Sequence, residues 1–352
     1  MRKIFIDRLD AFFDSVERAY KLFIPAETPT GAIFRERKIG DRFSDSRTRV
    51  SPKNLFFPQS ENLMDFNVSA KNIEIIGPEE EISDFVLFGV KACDAKSFDV
   101  LDRVFLGEPR DTYYARKREK GTIVVIACDR PTETCFCGTF GIDPSEPAEG
   151  DAVVVKTSDA FYIEAKTEKG EKLLSLTNGY TEPADESEVI ARKELIGERM
   201  KRLPLAKLSV KAFGGGKTEV FFDRPEWKEL SECCLGCGAC TFVCPTCQCY
   251  DIKDYKTNDG VKRYRCWDSC MYSDFTKMSA GQPRLTQKER FRQRFMHKLV
   301  YYPENNDGLF SCVGCGRCVS VCPSRLNIVT VIKKLGGRSD DKSGGCGDER
   351  KE

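Results

Sequence analysis

The chain carries almost no net charge: 56 Lys and Arg residues face 55 Asp and Glu, a formal +1 over 352 residues. No strong global field therefore draws it to nucleic acid or to an anionic membrane. No stretch approaches the roughly 18 consecutive apolar residues of a membrane-spanning helix. The opening MRKIFIDRLDAFFD interrupts its apolar residues with Arg and Asp, which does not read as a signal peptide. No Gly-x-Gly-x-x-Gly follows an expected strand, and no P-loop is present. Gly214–Gly216 lacks Walker spacing and reads as a turn. Haem attachment through Cys-x-x-Cys-His is missing too. The single histidine, His297, reads as a packed or partner-facing side chain and not as a metal ligand.

Cysteine is what the chain has in excess, with 18 residues. A secreted disulfide framework suits small domains that lack a core; this chain is long enough for two or three domains. The cysteines fall instead into metal-ligand spacings. That combination points to a reducing compartment, and the expected location is the cytoplasm.

Two runs read Cys-x2-Cys-x2-Cys-x3-Cys-Pro: CLGCGACTFVCP, with Cys234, Cys237, Cys240 and Cys244, and CVGCGRCVSVCP, with Cys312, Cys315, Cys318 and Cys322. This is the spacing of bacterial two-cluster ferredoxins, in which the fourth cysteine ligates the other cluster. Cluster I is thus assigned Cys234, Cys237, Cys240 and Cys322. Cluster II takes Cys312, Cys315, Cys318 and Cys244. Gly236, Gly238, Gly314 and Gly316 let the backbone pass close to inorganic sulfur and allow positive φ. Pro245 and Pro323 turn the chain away.

Further N-terminal, DFVLFGVKA and TIVVIA read as strands buried on both faces. Each is followed by Cys-Asp, at Cys93-Asp94 and Cys128-Asp129, and PTETCFCG adds Cys135 and Cys137. Strand C-termini of open α/β sheets are common ligand sites. A third [4Fe-4S] cube, a zinc ion or ordinary buried thiols would each account for these four residues.

Other segments follow from periodicity. Phe5, Leu9, Phe12, Phe13 and Val16 fit one helical face. Phe56-Phe57, between Pro52 and Pro58, reads as an apolar loop packed on its domain. AVVVKTSDAFYIEAKT reads as a hairpin turning at Ser158-Asp159, and ADESEVIARKELIGERMKRL as a helix. The residues between the two ferredoxin runs exceed what a compact dicluster needs. They carry Cys247, Cys249, Cys266 and Cys270, read as thiols packed around the clusters or as a further metal site. Trp267 and Tyr272 are expected to shield that end from water. Thr286 and Glu289 form a capping box for a helix with Lys288, Arg290, Arg292, Arg294 and Lys298 on its polar face. Phe291, Phe295 and Leu299 line its buried face. That polar face is read as solvated, or as docking an acidic partner or a cofactor phosphate.

The expected fold is α+β. A mixed α/β domain occupies 1–228, and a two-cluster ferredoxin-like domain 229–335 carries a long helical insertion at 250–308. A disordered tail at 336–352 includes Cys346.

The segments SPKNLFFPQSE at 51–61, KACDAKSFDVLDRVF at 91–105, CDRPTETCFCG at 128–138, CCLGCGACTFVCPTCQCYD at 233–251 and WDSCMYSDF at 267–275, together with the second ferredoxin run, carry a resemblance. They are similar to the iron–sulfur beta subunit of cytoplasmic NiFe sulfhydrogenases, and equally to the iron–sulfur electron-transfer subunit of anaerobic sulfite reductase. The resemblance implies a protein relaying single electrons between a flavin partner handling NAD(P)H, with FAD or FMN, and a catalytic redox partner such as hydrogenase or sulfite reductase. It places Cys93, Cys128, Cys135 and Cys137 at a third cluster position, and gives Cys266 and Cys346 no role. Two other readings remain open on the sequence. One is a catalytic oxidoreductase subunit with its own flavin or substrate site, which a flavin bound to the isolated chain would reveal. The other is a structural or regulatory subunit stapled by its clusters, which would not be rapidly reduced and reoxidised in a complex.

Overall fold

The computed structural model describes residues 1–68, 72–77, 82–258 and 260–337. Its strands are β1 (Arg2–Phe5), β2 (Lys21–Ala26), β3 (Ile33–Glu36), β4 (Ser60–Val68), β5 (Ile73–Ile76), β6 (Phe85–Lys91), β7 (Gly121–Ile126), β8 (Ala152–Lys156), β9 (Ala160–Ala165), β10 (Glu182–Pro183), β11 (Tyr250–Lys256) and β12 (Gly260–Trp267). The contacts divide them between two units. The first comprises Met1–Pro58, Glu79–Ala206 and Val313–Cys315; the second comprises Gln59–Pro78, Lys207–Cys312 and Gly316–Glu352.

The first unit is built on an eight-stranded sheet in the order β10-β1-β9-β8-β7-β6-β2-β3. Its centre is parallel, β2 with β6, β6 with β7 and β7 with β8. Every residue of β6 and β7 is buried, as near-continuous apolar strands covered on both faces should be. One cluster of the core joins the helices Leu9–Glu17 and Glu168–Leu176 to the sheet through Phe12, Phe13, Leu173, Phe88 and Val124. Another packs Val189 and Ile196 of the helix Ser187–Lys201 on Val155 and Tyr162. The helix Ala92–Phe105 follows β6 directly. Phe56 and Phe57 are fully buried, Phe56 against Phe85 and Phe98 and Phe57 against Phe105. The hairpin across Ser158-Asp159 forms as expected. Phe5 differs from expectation. It ends β1, and only Leu9, Phe12, Phe13 and Val16 share the buried helical face.

The second unit holds a four-stranded antiparallel sheet, β11-β12-β4-β5. Two of its strands come from the N-terminal third of the chain, so the contact division differs from a simple boundary near residue 228. Long-range pairing is the reason: β12 runs antiparallel to β4 from Gly260↔Asn67 to Cys266↔Ser60, and the Arg265–Glu61 ion pair, nearly out of solvent, ties the two strands. The insertion is likewise not purely helical. The strands Tyr250–Lys256 and Gly260–Trp267 pair as a β-hairpin, with the Thr257 amide donating to the Gly260 carbonyl at 2.9 Å. Tyr250 and Ile252 alternate with charged residues, but Tyr255 falls out of step, so the strand shows no sustained period of two. The helix Gln287–Met296 then starts at Thr286 with both capping-box bonds formed. The chain ends, as described, on the helix Ile328–Leu335; the expected tail from 338 onward, Cys346 included, lies outside the described residues.

Candidate iron–sulfur centres

In the first unit the register of two parallel strands does the gathering. Lys91 of β6 sits opposite Ile126 of β7, so Cys93 and Cys128, each two residues further on, leave the same sheet edge side by side. The loop after Cys128 then returns with Cys135 and Cys137. All four side chains are buried and line one small cavity. Asp129 secures the turn, accepting from the guanidinium groups of Arg192 and Arg199. Thr132 donates its backbone N–H to the Cys135 sulfur at 3.4 Å. Phe136 donates its backbone N–H to the Gly314 carbonyl at 2.8 Å, and Arg47 donates to the Cys315 carbonyl.

Two observations test whether these residues suit a cube. Burial, and then the neighbouring thiols of Cys128 and Cys135, push the Cys137 thiol up to about 12; burial also raises Cys128. Unaided, such thiols stay protonated at neutral pH, and it takes a strongly cationic centre to hold them as thiolates. The second is Lys91. It lines the cavity, is 3% exposed, and its Nζ has no hydrogen-bond partner among the described residues. A buried ammonium without hydrogen bonds is costly; a thiolate-ligated cube, which is anionic, would offset it. Among the described residues no three His, Cys, Asp or Glu side chains form a group that could hold a metal ion directly. A cube, with its irons at four separate corners, makes a wider demand on the sulfurs. The residues fit a [4Fe-4S] group better than zinc.

The second unit brings Cys234, Cys237, Cys240 and Cys322 around one small cavity, so a cysteine of the second run stands with three of the first. All four ferredoxin glycines take left-handed φ, from +58° to +75°. At Gly238 a Cβ would come within 2.6 Å of the Tyr272 hydroxyl, which donates to the Cys237 carbonyl at 3.3 Å. Tyr272 and Trp267 both pack against Phe242. Of the residues assigned to cluster II, Cys244, Cys312 and Cys318 lie in this unit, whereas Cys315 belongs to the stretch grouped with the first.

Arg294 and Lys298 depart most from the sequence reading. Expected on a solvated face, they are 2% and 3% exposed. They lie one turn apart on the stripe of Phe291, Phe295 and Leu299, which is the inner face. Lys298 donates to Thr246 Oγ1 and the Ser311 carbonyl, both at 2.8 Å, and Thr246 Oγ1 lies 3.2 Å from the Cys244 sulfur. Arg294 donates to the Cys240 carbonyl at 3.1 Å. Burial alone would lower both cations. Arg294 is nevertheless raised well above the usual value by the facing cysteines Cys240, Cys247, Cys318 and Cys244, and Lys298 is raised by Cys244 and Cys247. Cys244 is held far below the usual thiol range, first by the hydrogen bond from the Cys247 thiol and then by Lys298 and Arg294. Charge alternation along this face, cation against prospective thiolate, is what an anionic cluster site requires.

Residues 233–326 match the 4Fe-4S dicluster domain family. Over its whole length the chain is similar to the sulfhydrogenase 2 subunit beta of Pyrococcus furiosus, 31% identical across 337 residues, 95% of this chain and 97% of that protein. The chain belongs to the sulfhydrogenase beta-subunit family. As a member it is an iron–sulfur protein of electron-transfer type, with a mixed helix and sheet fold and a dicluster domain toward its C-terminus. No helix among the described residues is long and apolar enough to cross a membrane.

Proposed function

We propose that this sulfhydrogenase beta-subunit homologue is a cytoplasmic relay carrying single electrons through three [4Fe-4S] clusters in anaerobic metabolism. Cys234, Cys237, Cys240 and Cys322 hold the first cube. Cys312, Cys315, Cys318 and Cys244 hold the second, and Cys93, Cys128, Cys135 and Cys137 the third. A flavin-bearing NAD(P)H-handling subunit stands at one end, and a catalytic redox subunit, hydrogenase or sulfite reductase, at the other. The reading rests most on two cysteine quartets, one buried and one partly exposed, each lining a cavity that also holds a buried cation: Lys91 in one, Arg294 in the other. A cube needs four thiolates and a compensating field, and shifts its potential with both. Neither cavity needs room for a substrate for this purpose, since electrons pass without one.

Anaerobic purification with iron counting and identification of copurifying subunits tests this reading. About 12 Fe per chain, four for each of three cubes, is expected, together with a flavoprotein and a nickel- or sirohaem-containing partner. A chain that retains a flavin of its own, or cubes that exchange no electrons with either partner, would overturn it.

A further inference from the structure

Four cysteines between the ferredoxin runs have no place in the ligand sets above, and the fold brings three of them together. The β11–β12 hairpin pairs Tyr250 with Trp267, and at its open end the Asp268 amide donates to the Cys249 carbonyl at 3.0 Å. Cys249 and Cys270 therefore flank the same end of the hairpin, and their side chains are hydrogen-bonded to each other with Cys247 beside them. Cys247 in turn hydrogen-bonds to Cys244 and lies 3.6 Å from Arg294 Nη1. Sulfur thus follows sulfur from a cluster cysteine to a thiol pair. Neither member of the pair is in a disulfide, and no direct metal-holding group exists among the described residues.

We infer that Cys249 and Cys270 form a thiol–disulfide couple in electronic contact with the ferredoxin-type clusters, a two-electron store beside one-electron carriers. The inference rests on the relay reading, through Cys244 as a cluster ligand. On oxidation two S–H bonds break and one S–S bond forms. Two electrons pass singly to oxidised cubes, and two protons leave to water, which reaches both partly exposed residues. Reduction runs the same steps backward, with reduced cubes as the donor. Two thiols held at the same end of one hairpin need little backbone movement to reach disulfide geometry. Where reducing conditions prevail, disulfides are typically transient and catalytic or redox-sensing. Such a couple would let a chain of single-electron centres accept or deliver electron pairs without leaving a cube half-discharged.

The experiment poises the anaerobic complex at stepped potentials, quenches it in acid, alkylates, and maps Cys249 and Cys270 by mass spectrometry. The two residues should lose alkylation together, with a cross-linked peptide, and the thiol-to-disulfide ratio should change tenfold per about 30 mV, the two-electron slope, against about 59 mV for a cube. Cys249→Ser and Cys270→Ser should abolish that step while leaving iron per chain and the cube spectra unchanged. Three results would overturn the inference: alkylation of both residues at every potential, a disulfide that forms only in air, or iron lost in either variant, which would make them ligands. Iron below about 8 per chain in the unaltered protein would instead strike the dicluster reading itself, a failure separable from the thiol mapping.

Discussion

Lys91 shows how much one side chain can decide. Its ammonium is buried beside four cysteines without a hydrogen-bond partner among the described residues, so a cube placed there would be stabilised most in its more negative, reduced state. Lys91→Met should therefore lower the potential of one cluster only, shifting its reduction equilibrium about tenfold, or about 59 mV for one electron. A redox titration followed by electron paramagnetic resonance would show this, with iron content unchanged. His297 makes a different test. Burial, then Lys298 and Arg284, lower it from 6.5 to about 4, and its ring stands edge-on to Tyr302. The native state resists the proton that the unfolded chain accepts, so this residue costs nothing above pH 6.5. Stability is lost as pH falls from 6.5 toward 4, by roughly 3 kcal/mol in total. Urea unfolding across that window should show a shallower pH dependence in His297→Gln than in the natural chain.

At the scale of elements, two devices place the cysteines. Parallel strand ends deliver Cys93 and Cys128 to one edge, and glycines in left-handed conformation fold the ferredoxin loops. Gly314 is the more constrained, since a Cβ on it would collide with the backbone of Phe136. Gly314→Ala should cost more than the 1–2 kcal/mol, roughly, of forcing an L-residue into that region, and thermal unfolding should register it. The helix Gln287–Met296 was legible in its capping and apolar spacing. Its cations were not: Arg294 and Lys298 look like any solvated charge in one dimension, and only the thiolates across from them explain their burial. The β11–β12 hairpin shows no sustained period-two pattern, and its pairing with β4 joins residues some two hundred positions apart, which no local pattern announces.

For the molecule as a whole, the decisive quantity is iron per chain. Cys128→Ser should drop the count from about 12 to about 8, sparing the signals of the ferredoxin pair. A count that stays at about 12 would remove Cys128 from the ligands of the third cube, and a natural chain that holds only about 8 would remove that cube. The ferredoxin pair and the strand-flanked Cys-Asp steps could be read directly from the chain, because cluster ligation imposes short fixed spacings and buried strands impose composition. Donor chemistry was thus determined by sequence alone. Tertiary structure decided which charges face those donors, with Lys91, Arg294 and Lys298 turned inward, and it brought Cys249 to Cys270. Electrostatics and sulfur contacts act through space, and residues distant in sequence meet only once the sheets have formed.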